Sequence, residues 1–291
     1  MMKYFYGTNR KAPYFEDWYF KLQAKDGRGI ALIPAFHIDS ASLQIITAGK
    51  SWWLEYPVTA FAAAEKALKI SVGQNQFTGK GISLNIRQKD LVLQGALRFG
   101  PLLPLQSDIM GPFRFFSGME CSHGVISMAH SLEGRLTLNG EVLDFSGGVG
   151  YIETDRGRSF PGAYLWTQCV WQESYANSLM LSIASIPLPV GKFTGCICAI
   201  IHNGQEYRLA TYRGVRILRW SRNGAVIRQG KYRLEVELPE AQGQPLLAPV
   251  EGNMGRTIHE NLHTTMRYRF WCGNTLLFDH TDSRGSFEYT D

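Results

Sequence analysis

The chain has 291 residues, 45% hydrophobic and 19% charged, which is enough apolar content for a sizeable core and excludes a disordered chain. Its net charge is +5 with no run of five basic residues, which argues against a nucleic-acid partner. Five cysteines without a CxxC pair suit reduced, buried thiols in a cytoplasmic protein.

The first eight residues lack the apolar stretch of a signal peptide. Residues 14–21, Tyr-Phe-Glu-Asp-Trp-Tyr-Phe-Lys, form an aromatic segment built around two acids. In a strand, Glu16, Trp18 and Phe20 share one face, and Phe15, Asp17 and Tyr19 the other. Val58 to Lys69, rich in alanine, is the one good helix candidate. Ile70 and Val72, Ile82-Leu84-Ile86, Leu91 and Leu93, and later Leu234-Val236-Leu238 alternate with period two, as half-buried antiparallel strands do. Asn139-Gly140, Asn203-Gly204, Asn223-Gly224 and Gly273-Asn274 predict hairpin turns. The flexible stretch 146–150 suggests a boundary between a domain of residues 1–150 and one of residues 151–291. The longest apolar run, Leu179 to Val190, is broken by two serines and two prolines and is too short to span a membrane. Arg213, Arg216, Arg219, Arg222, Arg228, Lys231 and Arg233 read first as a solvated strand face; an anionic lipid surface or anionic substrate is the other reading.

Three segments carry chemistry. His259-Glu-Asn-Leu-His263 matches the zinc-protease HExxH pattern, but that chemistry needs a helix. Here Leu262, Met266, Tyr268 and Phe270 alternate with polar residues as a strand does, so a zinc hydrolase through His259 and His263 is only a third, weaker reading and no metal is assigned. In residues 119–130, strand geometry puts Met119, Cys121 and His123 on one face, with Glu120 and Ser122 on the other; a buried Glu near a His is a candidate acid–base pair. Residues 150–169 place Glu153, Asp155, Arg156 and Arg158 in a charged turn, then run through Phe160 into Tyr164, Trp166 and Gln168 on one strand face. Aromatic faces beside a carboxylic acid suit acid-triggered carbocation chemistry: the acid donates a proton and the π-faces stabilise the cation. The bland reading of the same aromatics is barrel core.

These segments resemble the tocopherol cyclase family. Its N-terminal YFEGWYFK motif stands here as Tyr14 to Lys21, its MECxHxxxSxxH block as Met119 to His130, and its E-K-x-W-G-x-S-F-P…W-x-Q hallmark as Glu153 to Pro161 followed by Trp166-Thr-Gln168. Leu277-Phe-Asp279 and Gly285 to Glu288 fit its closing strands. Asp17 replaces the motif's Gly, Thr154 its Lys and Arg156 its Trp. The resemblance implies an all-β fold of two lipocalin-like antiparallel barrels packed together, related to carotenoid hydratases. It also implies acid-assisted cyclisation or isomerisation of a prenylated or polyene substrate, without a cofactor. Glu153 or Asp155 is then the proton donor, with Glu16, Asp17 and Glu120 as alternates. Trp18, His123, Phe160, Tyr164, Trp166 and Gln168 line the ligand, and Arg156 and Arg158 anchor a polar end. The competing expectation is a non-catalytic carrier of an isoprenoid or other lipid, with peripheral membrane contact.

Overall fold

The structure is a computed structural model that describes residues 3–116, 119–173, 176–187, 191–238 and 244–291. Strands dominate, in two antiparallel sheets. The first sheet contains Phe15–Gln23 (β1), Gly29–His37 (β2), Ser40–Thr47 (β3), Ser51–Pro57 (β4), Phe61–Ala63 (β5), Lys69–Val72 (β6), Asn75–Thr78 (β7), Gly81–Gln88 (β8), Leu91–Phe99 (β9), Cys121–Leu138 (β10), Glu141–Asp144 (β11) and Gly148–Gly157 (β12). The second contains Tyr164–Gln172 (β13), Ala176–Pro187 (β14), Lys192–His202 (β15), Gln205–Ala210 (β16), Arg216–Ser221 (β17), Gly224–Gln229 (β18), Tyr232–Glu237 (β19), Gln244–Val250 (β20), Asn253–Cys272 (β21) and Thr275–Thr290 (β22). Each sheet curls around its own apolar core, the lipocalin-like all-β architecture expected.

Alternation explains both cores. Trp18, Phe20 and Leu22 of β1, Ile82, Leu84 and Ile86 of β8, and Leu91 and Leu93 of β9 point into the first. Leu165, Cys169 and Trp171 of β13, Cys196 and Cys198 of β15, and Leu234 and Val236 of β19 point into the second. The thiols of Cys196 and Cys198 are free, and burial pushes that of Cys196 up to about 12. The expected hairpins form: Asn139-Gly140 joins β10 to β11 and Asn203-Gly204 joins β15 to β16, each with both residues at positive φ, as a tight primed turn requires.

The helix expected over Val58 to Lys69 does not form. A single 3-10 turn, Val58–Ala60, leads into β5, where Phe61 pairs with Val72 and Ala63 with Ile70. Burying Ile70 and Val72 in the first core outweighs the alanine propensity, since a helix of this length gains little by itself. His259 to His263 lies within strand β21, so the helical spacing that HExxH zinc chemistry needs is not realised.

By contacts the chain divides into two compact units: Met1–Pro104 with Cys121–Phe160 and Leu247–Arg256, and Leu105–Glu120 with Pro161–Leu246 and Thr257–Asp291. The stretch read from sequence as a charged turn opening at residue 150 is instead the body of a central strand: β12 lies between β1 and β10 in the first sheet. Residues 247–252 join the first unit by backbone bonds: Phe160 N donates to Pro249 O at 3.0 Å and Gly252 N to Arg158 O at 2.6 Å.

Candidate functional site

The register of three strands builds the site. In the first sheet Asp17 of β1 stands opposite Asp155 of β12, and Asp155 stands opposite His123 of β10. One step along, Tyr19, Glu153 and Val125 make the next row, and Lys21 faces Tyr151 in a third. These side chains share the sheet face turned away from the Trp18–Phe20–Leu22 core, because side chains alternate along a strand. Asp17, Tyr19, Lys21, Tyr151 and Glu153 are all buried there.

The polar contacts are dense. His123 Nδ1 lies 3.1 Å from both carboxylate oxygens of Asp155, and its Nε2 lies 3.4 Å from Glu153 Oε2. The second distance is an ion-pair distance whose angle is too poor for a hydrogen bond. Tyr151 Oη donates to Glu153 Oε2 at 2.6 Å, Cys121 Sγ to Asp155 Oδ1 at 3.3 Å, and the Asp155 backbone N–H to Asp17 Oδ1 at 3.3 Å. Thr154 Oγ1 ties the strands together by donating to the carbonyl of Asp17 at 2.6 Å.

Electrostatics follow from this packing. Burial pushes the Asp17 carboxyl well above the usual carboxylate range, and the neighbouring Asp155 charge adds to it. Desolvation works against the His123 cation, but the Asp155 and Glu153 charges overcome it and hold the imidazole protonated well above its ordinary range. Burial and the Glu153 charge raise the Tyr151 phenol, and burial and the Asp155 charge raise the Cys121 thiol. The row therefore sets the Asp17 carboxyl, which burial makes a tighter proton holder, beside Asp155, which in turn faces the His123 imidazole that its charge helps to keep protonated. It holds both a proton to give and a carboxylate to receive one, side by side in a water-poor setting.

Alternation separates what the sequence had grouped. Glu16 and Arg156 are cross-strand partners on the opposite face, with Trp18 and Thr154. There Glu16 accepts from Tyr6 N at 2.8 Å and Tyr14 Oη at 2.8 Å. Burial carries its carboxyl up to about 7, against the pull of those bonds and of Arg156. The Arg156 guanidinium lies 3.9 Å from the Tyr6 ring centroid. Trp18 belongs to the apolar core, stacked near Phe61. Arg158 is exposed beyond the end of β12, and Phe160 packs edge-on against Phe15 at 5.5 Å.

Tyr164, Trp166 and Gln168 do share one face of β13, as expected, and all are buried. It is the face of the second sheet turned away from its core. Tyr164 Oη donates to Glu288 Oε2 at 2.7 Å. Neither amide atom of Gln168 has a hydrogen-bond partner among the described residues, a costly state that one external polar group would relieve. Glu120 sits in the bend before β10 and groups with the second unit; it is not in the Asp17 row. Sequence reasoning did not name Tyr151, Lys21 or Cys121 as site residues, although it had placed Cys121 on the same face as His123. The pattern Tyr151-x-Glu153-x-Asp155 carried the signal, since period two puts all three on one face.

Two sets of donor atoms lie within 4.8 Å of one another: His123, Glu153 and Asp155, and, inside the second core, Cys169, His280 and Asp282. Both are already ion-paired. His123 spends both nitrogens on carboxylates, and Arg284 grips Asp282 through Nε at 2.8 Å and Nη2 at 2.7 Å.

No protein-family model and no curated protein matches the chain, so the tocopherol cyclase resemblance rests on the quoted motifs. Solved structures do match in fold. Kievitone hydratase from Nectria haematococca superposes with a TM-score of 0.57 at 10% identity, over 96% of this chain and 89% of its own. A protein assigned as an AttH from Nitrosomonas europaea gives 0.54 at 15%, over 95% and 92%. CghA gives 0.59 at 11%, over 96% and 88%, and has also been crystallised with Sch210972. The likeness covers nearly the whole chain and concerns the fold.

Proposed function

We propose that this chain is an acid–base catalyst acting on a hydrophobic small molecule, protonating a carbon–carbon double bond and directing an oxygen to the resulting cation. The observation that carries the reading is the row Asp17–Asp155–His123, buried at Asp17 and half-buried at the other two. The Asp17 carboxyl breaks its O–H bond to form a C–H bond on the alkene. The electron-rich faces of Tyr19 and Tyr151, on the same sheet face, stabilise the cation. Water, giving hydration, or the substrate's own hydroxyl, giving ring closure, then forms the C–O bond. Its proton goes to the Asp155 carboxylate, and transfer across the row reprotonates Asp17. His123 supplies the cation that faces Asp155 while that proton is awaited. Arg156, whose charge at this point would oppose a cation, lies on the other face of β12.

The hydratase named among the fold neighbours supports the chemistry class, and the motif resemblance supports a prenylated or polyene substrate. The competing carrier reading has its own observation: His123 stands within ion-pair distance of a carboxylate on each side, as in a purely structural ion-pair lattice. Turnover of prenylated phenols and polyenes by the wild type, Asp17→Asn and His123→Gln separates the two. The catalytic reading expects each variant to lose about 10²- to 10⁴-fold in kcat while remaining folded. Unaltered turnover in Asp17→Asn refutes the assignment. Intact lipid found by native mass spectrometry, with no turnover of any candidate, favours the carrier.

A further inference from the structure

We propose that the outer face of β17, β18, β19, β21 and β22 in the second unit is a docking surface for an anionic lipid bilayer. The register places Arg216 of β17 directly opposite Arg228 of β18, and Arg228 directly opposite Arg233 of β19. Like charges in direct cross-strand register destabilise a sheet. The same lateral row continues to Trp271 of β21 and ends at Leu276 of β22, which is 46% exposed. One row across five strands thus carries three guanidinium groups followed by an indole and an exposed aliphatic side chain.

The surroundings reinforce the row. Arg219 follows a register shift in β17 beside Leu218, which is 56% exposed. Arg222 and Lys231 stand exposed in the two turns. Acids are present only further along the sheet, and they are taken: Arg233 and Arg269 pair with Glu235, Arg269 also with Glu237, and Arg267 with Asp279. Among the described residues, Arg216, Arg219, Arg222 and Arg228 have no ion pair. β17 ends its sheet path, and charge on an end strand protects against edge pairing. That accounts for Arg216 and Arg219 but not for Arg228 and Arg233, one and two strands further in.

Arginines supply the attraction to lipid phosphates, about fivefold in affinity for each near the surface. Trp271, Leu218 and Leu276 supply the interfacial anchors that a bilayer accepts and a phosphodiester duplex has no use for. The test is flotation of the full chain with vesicles of phosphatidylcholine alone and of phosphatidylcholine mixed with phosphatidylglycerol, at low and high salt. Binding is expected only with phosphatidylglycerol and to weaken with salt. Arg216→Gln with Arg228→Gln should lower it about 25-fold, two arginines at fivefold each. Leu218→Ser with Leu276→Ser should lower what binding persists at high salt, with thermal melting unchanged in both pairs. Equal binding to the two vesicle types, or indifference to the paired arginine substitutions, overturns the proposal. Salt-sensitive binding to duplex DNA without vesicle binding also overturns it and assigns the face to nucleic acid.

Discussion

Replacing His123 by alanine tests the electrostatic reading of the site most directly. The imidazolium stands between Asp155 at 3.1 Å and Glu153 at 3.4 Å, with Asp17 on the far side of Asp155. Its removal leaves the buried Glu153 and the half-buried Asp155 without their cation, although Tyr151 still donates to Glu153. Breaking a buried ion pair from one side costs about 3–5 kcal/mol. The pH dependence is the diagnostic part. His123 is raised in the folded state, so its contribution in the wild type is complete below the unfolded histidine value of about 6.5 and is lost as pH rises through the folded value. Below about pH 6, histidine is protonated in both the folded and unfolded wild type, and its contribution stops changing. The variant behaves differently there. Its unpaired carboxylates take up protons well before those of the unfolded chain, so its deficit shrinks on acidification. The deficit should therefore be smaller at pH 4.5 than at pH 6. Urea denaturation at the two pH values measures the deficit. Hydrogen exchange of the amides in β10 and β12 assigns it to the first unit, which a global transition in a chain with two units does not do. A deficit below about 1 kcal/mol, or one equal at both pH values, would refute the view that His123 serves as the counter-ion of this row.

Two further outcomes follow from the same unit. A methyl group added at Gly150 would fall 2.4 Å from His130 Nε2 and 3.0 Å from Leu132 Cδ2, so Gly150→Ala should lower stability by about 1–3 kcal/mol; an unchanged thermal midpoint contradicts the packing described. Glu16 rises from 4.5 to about 7 on folding, so the fold takes up a proton and its stability falls as pH climbs through that window, by about 3 kcal/mol in all. Glu16→Gln should flatten that slope in denaturation curves, and an unaltered slope would show that another group titrates there.

Local patterning along the chain determined the all-β class, the alternation of each strand and the tight turns. Period-two hydrophobicity at Ile82-Leu84-Ile86 and Asn-Gly pairs with both residues at positive φ are short-range properties that need no tertiary partner. The same alternation already grouped Cys121 with His123. What sequence could not supply was register between strands that are not neighbours in the chain, 138 residues apart for Asp17 and Asp155 and 32 for Asp155 and His123. Asp17 meets Asp155, and Asp155 meets His123, only because β12 inserts between β1 and β10. That pairing moved residues 150–157 from a presumed turn into the middle of a sheet, and it moved Glu16, Trp18 and Arg156 to the opposite face from the acids they had been grouped with. Burial then set the chemistry of Asp17: desolvation and the neighbouring Asp155 charge push its carboxyl well above the usual carboxylate range, which no local sequence feature announces. The arginine row is the same lesson at the surface. Residues 213–233 read as a diffuse basic stretch in one dimension, and lateral registration of β17, β18 and β19 turned it into aligned charges leading to Trp271 and Leu276, because cross-strand neighbours are set by hydrogen-bond register and not by distance along the chain.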